Sequence, residues 1–492
     1  MYAGPVFDHS SSDAIKPMLE KITPRYQALL ILLIWGAILL SAGLIRLDAF
    51  GIDEGAARAI LLVWSVVDRI INPVFILGLP DLRALLFAPV GIYWSGSIIA
   101  IKVFTALITF AAVLFFHQWS QKRYNNETAL IGSGLLLIAP LTLSQIDAIA
   151  AGPYLLLGFG LGEWLNRRYR QVKRPLGGWF FLQLLLIIVL TSMHPLALAY
   201  PLALVIEWYK DPIDHRQQRH VFIGIGAAII FTLLLRGGWD DLNWLGNPLG
   251  ALSTIVINTT ATGATTPALV GGAVIAILLL LLLIFYRTPL LQDLLGRMLV
   301  LALIIGAFCA DQSWALIGLT VLLTLGVSAL ISLNSRMGGA SFLGQRGLVM
   351  VLLLVMATVF MQGDKARQLQ IAQNLLTPHD FLIQELTLQL EDVSDGSIIV
   401  MSQWPGRTML ALRRPAIPLP PEYKDSATLL ANIKGVTHII FDPRDPANKV
   451  LGQHLARLTA ETETLALEPG GVIIRVKNRP SPQPAADADG AG

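Results

Sequence analysis

The sequence predicts a polytopic α-helical membrane protein of about eleven transmembrane helices that ends in a small α/β domain on the outer face. Three observations predict it. Of 492 residues only 14% are charged, against roughly 25% in a soluble globular protein. The charges are unevenly spread, with 41 of 69 in residues 1–362 and 28 in the last 130. Long apolar runs recur throughout the first part and stop before residue 363. The chain therefore divides into an N-terminal arm (1–26), a membrane body (27–362), an outer α/β domain (363–477) and a disordered tail (478–492) rich in Pro, Ala, Asp and Gly.

The elements of the body follow from length. About 20 apolar residues span a hydrocarbon core about 30 Å thick. Pro267–Tyr286 carries no charge and is the clearest span. The others are Gln27–Ile45, Ile98–His117, Ala129–Gln145, Ile149–Leu165, Val221–Leu235, Met298–Ala310, Ser313–Leu333 and Gly347–Met361. Gly178–Tyr209 is too long for one crossing and contains His194-Pro195, so it reads as two helices turning there.

With the N-terminus in the cytoplasm, seventeen Lys and Arg residues fall in inner segments and five (Arg46, Arg58, Arg69, Arg83, Arg236) in outer ones. An odd number of crossings then places the C-terminal domain outside, in the periplasm or extracellular space, with the body in a bacterial inner membrane. The first run reads as a retained anchor, because it follows a polar arm and lacks a small-residue cleavage site.

Two outer loops are long, 46–97 and 236–266. The first leads into Ala59–Val67, a short amphipathic stretch suited to the interface. The second carries Trp239-Asp240-Asp241 and Trp244. In the outer domain, Ser397–Ser402, Thr437–Phe441 and Val472–Val476 read as strands. Asp380–Leu390 and Asp425–Ile433 read as helices, and Pro415, Pro418, Pro420 and Pro421 as an extended linker.

Composition excludes several function classes. A net charge of +3, dispersed along the chain, does not suit nucleic acid. A single cysteine, Cys309, excludes an internal disulfide and a cysteine-built metal site. Nine of the eighteen acids in residues 1–362 lie on the outer side of the body, and Asp53, Asp147 and Asp311 sit at helix ends or in short turns. Acids are costly at such a boundary, which marks a site.

The order of an anchor helix, the acidic stretch Ile52-Asp53-Glu54-Gly55, an interfacial helix, many spans and an outer α/β domain resembles the GT-C superfamily of membrane glycosyltransferases, such as protein O-mannosyltransferases and lipid A aminoarabinose transferases. Leu85 to Trp94 looks like the proline- and aromatic-rich entry to the next span. Lys102 falls where the family often has an arginine, and Gln145-Ile146-Asp147 matches its second acid. Ser397 to Pro405, Arg414-Pro415 and Gly435 to Phe441 resemble the outer domain that commonly ends these proteins. The Glu-Lys-Pro motif of one branch is absent, its nearest counterpart being Leu79 to Arg83.

The resemblance implies transfer of a sugar from a polyprenyl-phosphate carrier to a glycan, lipid or protein acceptor on the outer face. For that chemistry Asp53 is the expected base, with Glu54 supporting it. Asp147 is expected to bind a divalent cation (Mg or Mn) together with Asp53, or to orient the acceptor. Arg58, Lys102, His194, Asp240 and Asp241 are the candidates for binding substrate or phosphate. The competing readings are a transporter or flippase, and an O-antigen polymerase or ligase; against the first, most spans lack mid-bilayer charge.

Overall fold

The computed structural model describes residues 24–41, 43–68, 82–94, 96–172, 177–210, 221–230, 291–306, 312–336, 342–391, 398–420, 425–445, 448–468 and 471–477. The expected span Pro267–Tyr286, the second long loop with Asp240 and Asp241, and Asp311 lie outside the described residues.

The body begins with α1 (Pro24–Ser41), α2 (Glu54–Asp68) and α3 (Arg83–Tyr93). It continues through α4 (Ile98–Arg123), α5 (Asn126–Ile138), α6 (Pro140–Asp147), α7 (Ala151–Val172) and α8 (Gly178–Met193). After a 3-10 turn at Pro195–Leu198 come α9 (Ala199–Lys210), α10 (Val221–Ile230), α11 (Leu294–Gly306), α12 (Gln312–Arg336) and α13 (Phe342–Ala372).

Local chemistry sets the ends. Ser97 caps α4, accepting from the Ala100 amide at 3.2 Å, and Asn125 caps α5 through Thr128 at 2.6 Å. The expected crossing Ala129–Gln145 is a pair, α5 and α6, bent by 52°. Pro140 opens the second helix, and Ala139 before it takes the extended conformation that a following proline favours. His194-Pro195 breaks the next long run as its sequence predicts.

Among the described residues, α4 is by itself long and apolar enough to cross a membrane, and α5 with α6 is so as a pair; the other apolar helices of 10–17 residues fall short of that length. Val103, Leu107, Phe181, Leu185, Ile223 and Ile304 nevertheless lie exposed on helix flanks, an arrangement suited to lipid and not to water. The inside of the bundle is close-packed around α7. A Cβ at Gly158 would come within 2.4 Å of Leu190, and one at Gly162 within 2.8 Å of Tyr200, so both positions hold the neighbouring helices at glycine distance.

The C-terminal domain comprises α14 (Pro378–Glu391), β1 (Val400–Ser402), α15 (Pro405–Leu412), β2 (Ala416–Pro418), α16 (Ser426–Asn432), β3 (His438–Phe441), α17 (Lys449–Leu455), β4 (Thr462–Glu468) and β5 (Gly471–Val476). Its sheet has the order β2-β1-β3-β5-β4, with β1 parallel to both β2 and β3, and β5 antiparallel to β3 and β4.

The expected proline-rich linker is in part a strand: Ala416–Pro418 pairs with Val400–Ser402 at the sheet edge, the one place where a strand proline costs no ladder bond. Strand β4 and helices α15 and α17 were not expected from the sequence. One apolar core runs from α2 and α3 through Leu382, Leu386, Met409 and Leu410 into this domain, so it is seated on the body and not tethered beside it.

Candidate functional site

One end of the body gathers Asp53, Glu54 and Asp147 of the acids singled out in the sequence. The α6–α7 turn is its hub. Ile149 there has φ of 52°, a conformation costly for a β-branched residue, about 1–3 kcal/mol. Two contacts hold the turn. The Asp53 amide donates to the Ala148 carbonyl at 2.8 Å, and the buried Arg83 guanidinium donates to the Ile149 carbonyl at 3.0 Å. Arg83 also donates to Asp53 Oδ2 at 3.0 Å. The first outer loop and the second acidic turn, about 95 residues apart in sequence, thus meet at their backbones.

Asp147 is surrounded by donors. Its Oδ1 accepts from the Arg46 amide at 2.7 Å and from Lys102 Nζ at 3.2 Å, and its Oδ2 from Arg367 at 2.7 Å. Lys102, 1% exposed, also donates to the carbonyls of Arg46 (2.7 Å) and Asp48 (3.2 Å), so its three protons have three acceptors. The expected role of Lys102 in binding phosphate does not fit this placement, because an ammonium already satisfied in the interior has no donor to offer. Arg46 pairs with Asp48 at 2.9 Å and reaches Asn374 and the Leu375 carbonyl. The hydrogen bond to Asp48 raises the guanidinium pKa above its ordinary value.

Asp53 and Glu54 diverge. Asp53 is the N-cap of α2, its Oδ2 accepting from the Ala56 amide at 3.2 Å, and Glu54 is the first helical residue, so consecutive side chains point to different faces. Glu54, expected to support Asp53, instead caps a second helix. Its carboxylate accepts from the amides of Gly406 (2.7 Å) and Arg407 (3.0 Å) at the start of α15, and from Arg58 Nε at 2.8 Å. A carboxylate on a helix N-terminus is favoured by the unsatisfied amides and the dipole. Arg407 further pairs with the buried Asp380, and the Arg413 guanidinium lies 4.3 Å over Trp64, closing the seam between α2 and the C-terminal domain.

Asp53 keeps an open oxygen. Its side chain is 46% exposed, and Oδ1 has no partner among the described residues. Arg58, half-buried one turn on, holds Glu54 through Nε, while its terminal nitrogens have no partner among the described residues. His194 is elsewhere, its Nδ1 accepting from the Leu196 amide at 3.1 Å to cap the 3-10 turn. Asp240 and Asp241 lie outside the described residues.

The donor set does not fit a divalent cation. Hard cations need several oxygens aimed at one point, yet the oxygens of Asp147 and Glu54 are taken by cations and amides. Among the described residues, no group of three or more His, Cys, Asp or Glu side chains converges to hold a metal. The expected pairing of Asp53 and Asp147 as metal ligands does not match this geometry, because the Asp147 oxygens accept from Arg46, Lys102 and Arg367 and Asp53 Oδ2 accepts from Arg83.

Sequence reasoning missed Arg367 and the pairing role of Arg83. Arg367 lies on α13, which runs eleven residues past the expected span Gly347–Met361. The final turns of that helix are polar, with Asp364 and Lys365 beside it, so no local signal sets Arg367 apart.

No protein-family model matches the sequence, and no curated protein matches it either. Among solved structures the chain is similar to ArnT from Cupriavidus metallidurans in the apo state, with a TM-score of 0.51 and 13% identity, covering 90% of this chain and 97% of that one. It is also similar to the Archaeoglobus fulgidus oligosaccharyltransferase tethered through a disulfide bond to an acceptor peptide containing the NVT sequon. That TM-score is 0.51 at 12% identity, covering 93% of this chain and 74% of that one. The likeness is one of fold.

Proposed function

We propose that the chain is a membrane glycosyltransferase that moves a sugar from a polyprenyl-phosphate carrier to an acceptor at the outer face of the membrane. The observation that carries this reading is the open carboxylate of Asp53. It is held in place by Arg83 and by the start of α2, and it lies where the body meets the C-terminal domain. A carrier whose chain stays in lipid presents its phosphate at that boundary. In the proposed step, Asp53 Oδ1 accepts the proton of an acceptor hydroxyl. The acceptor oxygen bonds to the anomeric carbon as the bond from that carbon to phosphate breaks, and the electron pair leaves with the carrier phosphate. Arg58 supplies countercharge to the departing phosphate through its terminal nitrogens. Asp147 does not react; it gathers Arg46, Lys102 and Arg367 into the floor under Asp53.

The membrane arrangement belongs to the same proposal: N-terminus in the cytoplasm, body in an inner membrane, and residues 363–477 on the outer side. The ion pairs support it. Arg123–Asp293, Arg170–Glu207 and Arg297–Glu207 join residues assigned inside, whereas Arg83–Asp53, Lys102–Asp147 and Arg367–Asp147 gather at the opposite end.

The test is Asp53→Asn, which keeps shape and removes the proton acceptor. Transfer from a polyprenyl-phosphate sugar in isolated membranes should fall roughly 100-fold or more at equal protein level. Normal transfer by this variant would defeat the mechanism and leave the fold untouched.

A further inference from the structure

A second cluster of polar and aromatic side chains lies on the C-terminal domain, and the transfer step makes no use of it. The sheet order β2-β1-β3 means that the chain leaves β1 toward one side and returns on the other, so the carboxyl ends of β1 and β3 flank a topological switch point. Open α/β sheets bind ligands in the crevice at such a point. Gln403 and Trp404 follow β1 there, and Asp442, Arg444 and Asp445 follow β3.

Side chains line this switch point. The Gln403 amide group is locked across it, its Oε1 accepting from the Asp442 amide at 2.8 Å and its Nε2 donating to Asp445 at 2.7 Å. His379, from the start of α14, stacks on Trp404 with ring centroids 4.3 Å apart and planes 30° apart, and its Nε2 lies 3.4 Å from Asp442 Oδ2. Arg444 donates to both oxygens of Asp442, which draws that carboxyl below the usual carboxylate range. Joining the strand ends needs only Gln403. The stacked rings are surplus to it, and the His379 side chain stays 38% exposed, presenting an aromatic face backed by indole. The place also matters: Trp404 directly precedes α15, whose first amides are capped by Glu54, the neighbour of Asp53.

We propose that this crevice is a carbohydrate-binding site and that it holds the acceptor, which makes the acceptor a glycan. An exposed imidazole stacked on indole, bordered by carboxylates and a fixed amide, suits a sugar, whose C–H face packs on a flat ring and whose hydroxyls donate to carboxylates. Asp442 and Asp445 disfavour an anionic ligand. The binding claim stands by itself; the word acceptor rests on the proposed transfer.

The test is saturation-transfer NMR on the full chain in a detergent without a sugar headgroup, with the methyl glycosides of glucose, galactose, mannose and arabinose as probes. At least one should give protein-to-ligand transfer with both the wild type and Asp53→Asn. His379→Ala and Gln403→Ala should each weaken its affinity roughly tenfold, the loss of one good contact. The second variant guards against an effect of the first on the packing of Trp404. Silence from all four glycosides, or binding unchanged in both variants, overturns the site, as does preferential binding of an unglycosylated peptide competitor. If the glycosides bind but Asp53→Asn transfers normally, the transfer mechanism fails and the site survives; if Asp53→Asn is inactive and no glycoside binds, only this inference fails.

Discussion

The two ends of the helical body are both fastened by ion pairs, and they use them differently. At the Arg170 end, Arg123–Asp293, Arg170–Glu207 and Arg297–Glu207 tie separate segments together and Arg167–Glu163 pairs within α7, with side chains that keep 12–47% of their surface exposed. At the Asp53 end, the Lys102 and Arg83 side chains are buried to 1% and 3% exposure, yet Asp53, the partner of Arg83, stays 46% open. Exposed pairs contribute little, whereas a buried cation becomes costly as soon as its partner is lost. The difference teaches that the Asp53 end invests burial in holding one carboxylate rigid and accessible, while the other end only ties helices together.

Breaking the hub should therefore cost most. Asp147→Asn removes the carboxylate that Lys102 and Arg367 both pair with and should lower stability by about 3 kcal/mol, read as thermal unfolding in detergent. Arg167→Gln at the opposite end, whose side chain is 47% exposed, is the control and should cost less than about 1 kcal/mol. Equal losses would erase the distinction between the ends.

A second measurement separates both ends from the C-terminal sheet. Burial, with Arg475 nearby, pushes His438 on β3 down to about 4, below its ordinary 6.5. The unfolded chain therefore binds the proton first as pH falls. The stabilisation is complete above about pH 6.5 and is lost progressively down to about pH 4, roughly 3 kcal/mol in all. Protection factors for amide exchange in β3 should fall between pH 7 and 5, and His438→Phe should remove that dependence. An acid response centred on α6 and α7 instead would relocate the weak point to the Asp53 end.

The smallest effect sharpens the role of Glu54. Glu54→Gln keeps a hydrogen-bond acceptor on the α15 amides but removes the charge, so it should cost about 1 kcal/mol. The readout is faster exchange at residues 405–412 with the body unchanged. Transfer lost as fully as in Asp53→Asn would return Glu54 to the reaction itself.

Local pattern determined much of this protein by itself. Apolar runs placed α1, α4, α7, α11 and α12, and His194-Pro195 placed the break between α8 and α9; the richer charge late in the chain pointed to an α/β domain, whose first helix begins at Pro378 because α13 runs on to Ala372. These are legible because helix burial, proline geometry and strand alternation are written within a few residues of one another. Asp53 was legible too, as an acid where an acid is costly. The rest depended on distance. Asp147 and Arg367 are 220 positions apart, Glu54 and Gly406 are 352 apart, and no periodicity links such positions. Lys102 looked like an intramembrane cation free for phosphate, and only its three buried acceptors show otherwise. Ala416–Pro418 looked like linker because proline opposes a strand interior, and only its place at the sheet edge makes it a strand. Local sequence sets what each segment prefers, whereas the identity of a charge's partner is decided by which segments the packed core brings together.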